Sequence, residues 1–201
     1  MTDRRYYDQP VIYNEPRWKS YVAKTNMPVF TIEQCNKIIQ TGRSLPPNKA
    51  TIGIEQNKLD TGIRSSHVSF IPFPLLEPMY RRLEEVVRQI NENHFGFEDI
   101  RLSEYAQYTE YENGGYYNWH IDSSIDGRGE PPVRKISMSL LLNNENEFEG
   151  GELEIVQPDN KVFIKQGQAV FFASFLNHRV VPITNGTRKS LVVWFGGRPF
   201  R

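Results

Sequence analysis

The chain has 201 residues, enough for one globular domain with a proper hydrophobic core. Its 24 basic and 24 acidic side chains cancel at 38% apolar content, so no global positive field is present to hold a nucleic-acid phosphate backbone. The one cysteine, Cys35, excludes an intramolecular disulfide, and no secretory signal or stretch of membrane-spanning length is found, so a soluble cytoplasmic protein is expected.

Residues 1–28 mix aromatics with charges and prolines, a composition suited to an extended arm over a single domain formed by 29–201. Thr31 and Gln34 have capping-box spacing, and Ile32, Cys35, Ile38 and Ile39 recur at helical intervals, predicting a helix to about Thr41, before Gly42. Residues 45–66 read as loop and short strand. Leu75, Leu76, Met79, Tyr80, Leu83, Val86, Val87 and Ile90 trace one face of a second helix that should end near Asn93. From residue 99 the pattern changes to short runs of Tyr, Val, Ile and Phe between turn pairs, with strands expected over roughly 101–111, 116–122, 135–143, 151–156, 161–165, 169–174, 178–183 and 187–195. Short strands in that number predict an α+β, mainly β fold, a jelly roll or similar double sheet with two N-terminal helices packed outside. The 123–134 loop, with two glycines and two prolines, reads as mobile, and a lid would be useful directly after a metal ligand.

His120 and Asp122 sit two apart in a strand-like segment, where alternation turns both side chains to one face. His178 begins a later strand and completes a set of two histidines and one carboxylate. On one face of an octahedral metal such a set leaves open positions, the arrangement of non-haem iron(II) oxygenases, with catalytic zinc as the rival. His67 and His94, without a carboxylate at comparable spacing, read as ordinary histidines. Ten residues after His178 comes Arg188, whose forked donors suit the far carboxylate of a metal-chelating dicarboxylic acid, and Ser190 shares its strand face. If strands 178–183 and 187–195 formed a hairpin closed by a two-residue Asn185-Gly186 turn, His178 and Arg188 would face opposite ways. A three-residue loop Thr184-Asn185-Gly186, with Gly186 left-handed, or an equivalent bulge near Pro182, sets Arg188 opposite Pro182 and His178 opposite Val192, both inward. That longer loop is the expectation.

These residues resemble the prolyl-4-hydroxylase-like iron(II) and 2-oxoglutarate dioxygenases. The matching text is Tyr111-x-x-Gly114-x-x-Tyr117-x-x-His120-x-Asp122, Glu149-Gly150-Gly151-Glu152-Leu153, Gly167-Gln168-Ala169-Val170-Phe171-Phe172, His178-Arg179-Val180 and Gly186-Thr187-Arg188, within a core of 105–197. The resemblance implies a double-stranded β-helix in which His120, Asp122 and His178 hold Fe(II). It also implies that Arg188 meets the far carboxylate of 2-oxoglutarate, helped by an upstream tyrosine, Tyr111 or its neighbour Tyr108. The implied reaction consumes O2, converts 2-oxoglutarate to succinate and carbon dioxide, and hydroxylates an unactivated C–H bond, with L-ascorbate as supporting reductant. Collagen-type prolyl hydroxylases carry lysine where this chain has Arg188, so the likeness is closer to the arginine-bearing branches.

The substrate expected is a prolyl residue in a peptide, or a free amino acid or other small molecule. Tyr117, Arg64 and Arg128 are the candidate substrate contacts, a solvated arginine being the commoner reading of the latter two. Tyr116 and Trp119 are weighed as pocket or core, Trp194 is read as packing on the face opposite Arg188, and Gly150 and Gly151 as a turn or bulge. A zinc hydrolase and a non-catalytic β-barrel binder are the rival classes.

Overall fold

The computed structural model describes residues 20–47, 63–123 and 132–200. Helix α1 spans Ile32–Ser44 and α2 spans Glu77–Ile90. The strands are β1 (Val22–Lys24), β2 (Arg64–Ser65), β3 (His67–Ile71), β4 (Arg101–Leu102), β5 (Ala106–Tyr111), β6 (Tyr116–His120), β7 (Val133–Leu141), β8 (Phe148–Gly150), β9 (Leu153–Ile155), β10 (Lys161–Val162), β11 (Ala169–Ala173), β12 (His178–Val180), β13 (Ile183–Gly186) and β14 (Arg188–Gly197). They form a larger sheet in the order β1-β11-β7-β14-β5-β3, with β4 also on β14, a smaller one in the order β10-β9-β12-β6-β2, and the pair β13-β8. All pairs are antiparallel. This is the double-stranded β-helix expected, with both helices against the outer face of the larger sheet.

Side-chain alternation divides the larger sheet into two functions. Outward, Ile136, Met138 and Leu140 of β7, Leu191, Val193 and Phe195 of β14, and Phe171 of β11 pack with Ile38 of α1 and Leu83 of α2 in one apolar core. Inward, Val170 and Phe172 join Leu153, Ile155 and Val180 of the smaller sheet in a second, smaller core. Burying each large side chain is worth roughly 1.5–3 kcal/mol, so the outer core anchors the sheet and frees part of the inner face for polar residues.

Several element boundaries differ from expectation. The capping box at Thr31 and Gln34 forms, but α1 runs through Gly42 to Ser44. Gly42 is there for close approach: a Cβ on it would lie 2.3 Å from Cγ of Tyr108, and Ser69 Oγ donates to its carbonyl at 2.7 Å. Helix α2 starts at Glu77 because Phe73–Leu75 form a short 3-10 turn, and it continues through a π turn, Asn91–Phe95, to left-handed Gly96. Strand β3 was not expected, since buried residues at 68, 69 and 71 obscure its alternation. The described end of the N-terminal segment supplies β1, an edge strand on β11, and residues 1–19 of the expected extended arm lie outside the described residues. Strand β7 begins at Val133, inside the expected loop, of which 124–131 lie outside the described residues.

Replacing Gly42 with alanine gains ~1 kcal/mol of helix propensity but drives a methyl into the root of the Tyr108 side chain, an overpacking cost of about 1–3 kcal/mol. The expected outcome in urea denaturation is a net loss of stability for Gly42→Ala, and the same change made in a Tyr108→Ala background, where Cγ and Cδ1 are gone, should cost less.

Candidate metal centre

The centre is built where the two sheets face each other. His120 ends β6, and His178 begins β12 directly opposite it. Asp122, expected inside a strand over 116–122, instead lies two residues past the end of β6 and is fixed by its own backbone: its N–H and that of Ser123 donate to the Ser174 carbonyl at 2.9 and 3.0 Å. The three side chains converge, with one ligand atom from each lying within 4.8 Å of the others. Asp122 Oδ1 is 3.7 Å from His120 Nε2, and Oδ2 is 3.5 Å from His178 Nε2.

Each ring is oriented from behind. His120 Nδ1 sits 2.8 Å from the Asn118 carbonyl and His178 Nδ1 2.9 Å from that of Leu176. A proton on Nδ1 satisfies those carbonyls and turns the Nε2 lone pairs toward Asp122. Burial, then the neighbouring His178, push His120 down to about 4, so its imidazole is neutral near pH 7. Burial works to raise the Asp122 carboxyl, yet His178, His120, the Ser137 hydroxyl and the Trp194 indole outweigh it and hold the group below the usual carboxylate range. Ser137 Oγ donates to Asp122 Oδ2 at 2.6 Å and lies 2.9 Å from Ser174 Oγ. Among the described residues Trp194 Nε1 has no partner within hydrogen-bond reach, so its influence on the carboxylate acts from slightly farther away. Two imidazole nitrogens and an ionised carboxylate are the donor set an iron(II) ion takes.

A cavity of about 580 Å³ opens from these ligands between the sheets. Arg188, Ser190, Val192 and Trp194 alternate along β14 and all line it, while Leu191, Val193 and Phe195 face the outer core. The reading of Trp194 as packing opposite Arg188 is corrected here: six residues along a strand is an even spacing, so both point inward. Arg188 is 4% exposed, and burial pushes its pKa down, opposed by Tyr111. Tyr111 is its cross-strand partner on β5, with the guanidinium carbon 5.8 Å from the ring centroid. No carboxylate among the described residues pairs with Arg188, and Ser190 Oγ is buried without a hydrogen-bond partner. A buried cation beside an orphaned hydroxyl fits the far carboxylate of a dicarboxylic acid.

The expected hairpin between the strands of His178 and Arg188 does not form. Pro182, which lacks an N–H, interrupts the run after β12, and β13 pairs with β8 while the chain crosses to the larger sheet. His178 pairs with His120 and Ile155, and Arg188 with Tyr111, so the two meet across the gap rather than along one sheet. Gly186 is left-handed (φ 77°) and a register shift falls between Ile183 and Asn185, but both features serve the β13-β8 pair. Gly150 and Gly151 form the expected turn (φ 76° and 67°), and Gly151 also makes room, since a Cβ there would lie 3.1 Å from Arg188 Cδ.

Tyr108 does not reach the cavity. It lies an odd number of residues from Tyr111, on the outer face against Gly42, and its hydroxyl donates to Glu110. Tyr117 and Arg64 do line the cavity. Simple alternation would set Tyr117 and His120 on opposite faces, but β12 pairs with β6 through a bulge, His178 with His120 and Val180 with Tyr117, and the two rings stack at 3.5 Å and 16°. Trp119 instead lies beneath Arg179, and neither it nor Tyr116 lines the cavity. Arg128 lies outside the described residues. Ser137, Ser174 and Arg134 went unnoticed in the sequence, although Ser137 and Ser139 alternate with Ile136, Met138 and Leu140, a pattern that marks a polar inner face.

Residues 106–196 match the sequence profile described as the 2OG-Fe(II) oxygenase superfamily. A PKHD-type hydroxylase of Shewanella oneidensis is 34% identical over 90 residues, 43% of this chain and 40% of that relative. The chain thus spans less than half of that relative's length. The fold is similar to a Pseudomonas putida prolyl-4-hydroxylase (TM-score 0.66, 20% identity, 89% of this chain and 93% of that one). It is also similar to the viral collagen prolyl hydroxylase of Paramecium bursaria Chlorella virus-1 in complex with 2OG (TM-score 0.68, 17% identity, 89% and 97%).

Ser137→Ala removes the 2.6 Å bond to Asp122 without touching a ligand. Loss of such a partner typically weakens metal binding by roughly 10–100-fold. Anaerobic calorimetry with iron(II) is expected to show a loss in that range for Ser137→Ala and near-normal affinity for Ser137→Thr, which keeps the hydroxyl.

Proposed function

We propose that this chain, whose residues 106–196 match the 2OG-Fe(II) oxygenase superfamily profile and whose fold is similar to prolyl-4-hydroxylases, is an iron(II)- and 2-oxoglutarate-dependent dioxygenase that hydroxylates an unactivated C–H bond. The observation that carries the reading is one cavity holding His120, Asp122 and His178 at one end and the buried Arg188 with the unpartnered Ser190 hydroxyl at the other. A zinc hydrolase would have no use for that arginine. The prolyl hydroxylase names of the similar proteins favour a peptidyl-proline substrate, with a free amino acid or other small molecule as the second reading. L-ascorbate is the proposed supporting reductant, 29–201 the proposed domain, 1–28 its arm, and the cytoplasm its location.

In this reading His120, Asp122 and His178 hold the iron, and Arg188 with Ser190 and Tyr111 orients 2-oxoglutarate by its far carboxylate. Bound iron and 2-oxoglutarate supply the oxidising power for dioxygen chemistry that side chains lack. The chain's own contribution is positional. The carbonyls of Asn118 and Leu176 fix the two imidazoles, Ser137 fixes the carboxylate, and the bidentate fork of Arg188 sets the angle of the co-substrate. Apolar walls from Leu153, Phe172, Val180 and Val192 limit water around the reacting centre.

Purified protein supplied with iron(II), oxygen and 2-oxoglutarate is expected to release succinate, and hydroxylated product should appear in a screen of proline peptides and amino acids. Tight zinc binding without iron-dependent turnover under any condition would overturn the proposal. Arg188→Met should raise KM for 2-oxoglutarate about ten- to a hundredfold, given ~1.5–3 kcal/mol for a hydrogen bond to a charged group and 1.4 kcal/mol per decade.

A further inference from the structure

Three arginines, Arg64, Arg134 and Arg188, line the cavity, and Asp122 is the one acidic residue among its described lining. Arg134 is neutralised by Glu104, which accepts from both Nε and Nη2, and its guanidinium is stacked 3.9 Å over the Trp194 ring. Arg188 is assigned to the co-substrate. Arg64 has no carboxylate partner among the described residues. It is half-buried, its Nε donates to Ser66 Oγ at 2.6 Å, its Nη2 makes only a long contact of 3.5 Å to Thr109 Oγ1, and no carboxylate pairs with it.

Its position ties it to the reacting centre. Arg64 on β2 is paired in register with Tyr117 on β6, and its guanidinium carbon lies 4.6 Å from the centroid of that ring. The Tyr117 ring in turn stacks 3.5 Å from that of His120. The cation therefore lies no farther from a metal-ligating imidazole than these two spacings together. Its stem is fixed by the ring and by Ser66, so little side-chain entropy is left to lose on binding an anion.

Charge counting points the same way and rests on the function proposed above. A divalent metal with Asp122 carries one net positive charge and Arg188 a second, and doubly charged 2-oxoglutarate cancels both. Arg134 is cancelled by Glu104. Among the described residues the charge of Arg64 is left over, in a partly desolvated wall where an ion pair is worth more than at an open surface. We propose that Arg64 binds an anionic group of the primary substrate, so that the molecule hydroxylated carries a carboxylate at Arg64 while a carbon several bonds away faces the metal ligands. The carboxylate can belong to a free amino acid or to an acidic residue beside the target in a peptide.

The test uses the full chain with iron(II), 2-oxoglutarate and oxygen, and two matched panels: free amino acids against their α-carboxamides, and terminally blocked proline peptides with Asp or Glu against Asn or Gln beside the proline. Hydroxylated product is read by mass spectrometry and succinate in parallel. The expected result is that kcat/KM for the preferred acid exceeds that of its amide at least tenfold, and the panel in which this happens identifies the source of the carboxylate. Arg64→Gln should abolish the preference, Arg64→Lys should keep part of it, and anaerobic calorimetry, where no turnover occurs, should show the acid binding at least tenfold more weakly to Arg64→Gln. Equal use of acid and amide by the unaltered protein overturns the assignment whether or not the variants fold. So does succinate release with no acid hydroxylated, or an equal loss on both members of a pair in Arg64→Gln. Absence of succinate under every condition instead overturns the dioxygenase reading, a separate outcome.

Discussion

The structure depends on keeping one carboxylate ionised and correctly turned in the gap between two sheets. Burying an unpaired carboxylate costs several kcal/mol, and Asp122 is surrounded by compensation: a serine hydroxyl on one oxygen, two imidazoles within 4 Å, and an indole nearby. Its backbone is held by the carbonyl of Ser174, whose own hydroxyl meets Ser137. Ser137 lies on β7 and Ser174 directly follows β11, neighbouring strands of the larger sheet, whereas Asp122 follows a strand of the smaller one. The same few bonds that orient the carboxylate therefore also tie the two sheets together at the metal end.

That arrangement explains why the larger sheet needs helices outside it. Its inner face gives up apolar packing at Ser137, Ser139, Ser190, Gln107, Thr109 and Arg188, all buried and polar. An inner face of this kind cannot anchor a sheet by itself, and the outer core, where α1 and α2 cover the alternate residues of the same strands, supplies the missing burial. Gly42, placed so that Tyr108 can lie flat against α1, belongs to that support rather than to the site.

Elements whose signal is local were legible in the sequence. The capping box, the amphipathic face of α2, the turn at Gly150-Gly151 and the spacing of His120 and Asp122 each depend on residues a few positions apart. The inward position of Arg188 was also expected, but from a hairpin that is absent. A hairpin register within one sheet and the facing of two sheets both turn His178 and Arg188 toward the same cavity, and periodicity along a strand does not say which sheet the strand joins. The bulge that brings Tyr117 onto His120 was hidden for the same reason: it is a property of how β6 pairs with β12, not of either strand alone. Tyr108 and Trp194 show the converse, since strand parity counted from Tyr111 and Arg188 suffices to place both.

The polar groups of the inner face are not equally satisfied, and the pattern of deficits carries information. Ser137 and Arg134 are fully partnered, one by Asp122 and the other by Glu104, so their work is done within the protein. Ser190 and Trp194 keep buried donors without partners, and Arg188 is buried without a counter-ion among the described residues. A folded chain tolerates such groups only when other burial outweighs them, and natural proteins concentrate the exceptions at sites that bind something. The unsatisfied donors lie along one face of β14, from Arg188 at one end through Ser190 to Trp194 near Asp122. A ligand that satisfies both ends must be anionic at the Arg188 end and reach toward the three metal ligands at the other. The pattern of unmet hydrogen bonding is thus compatible with the co-substrate proposed above, anionic at one end and facing the metal ligands at the other.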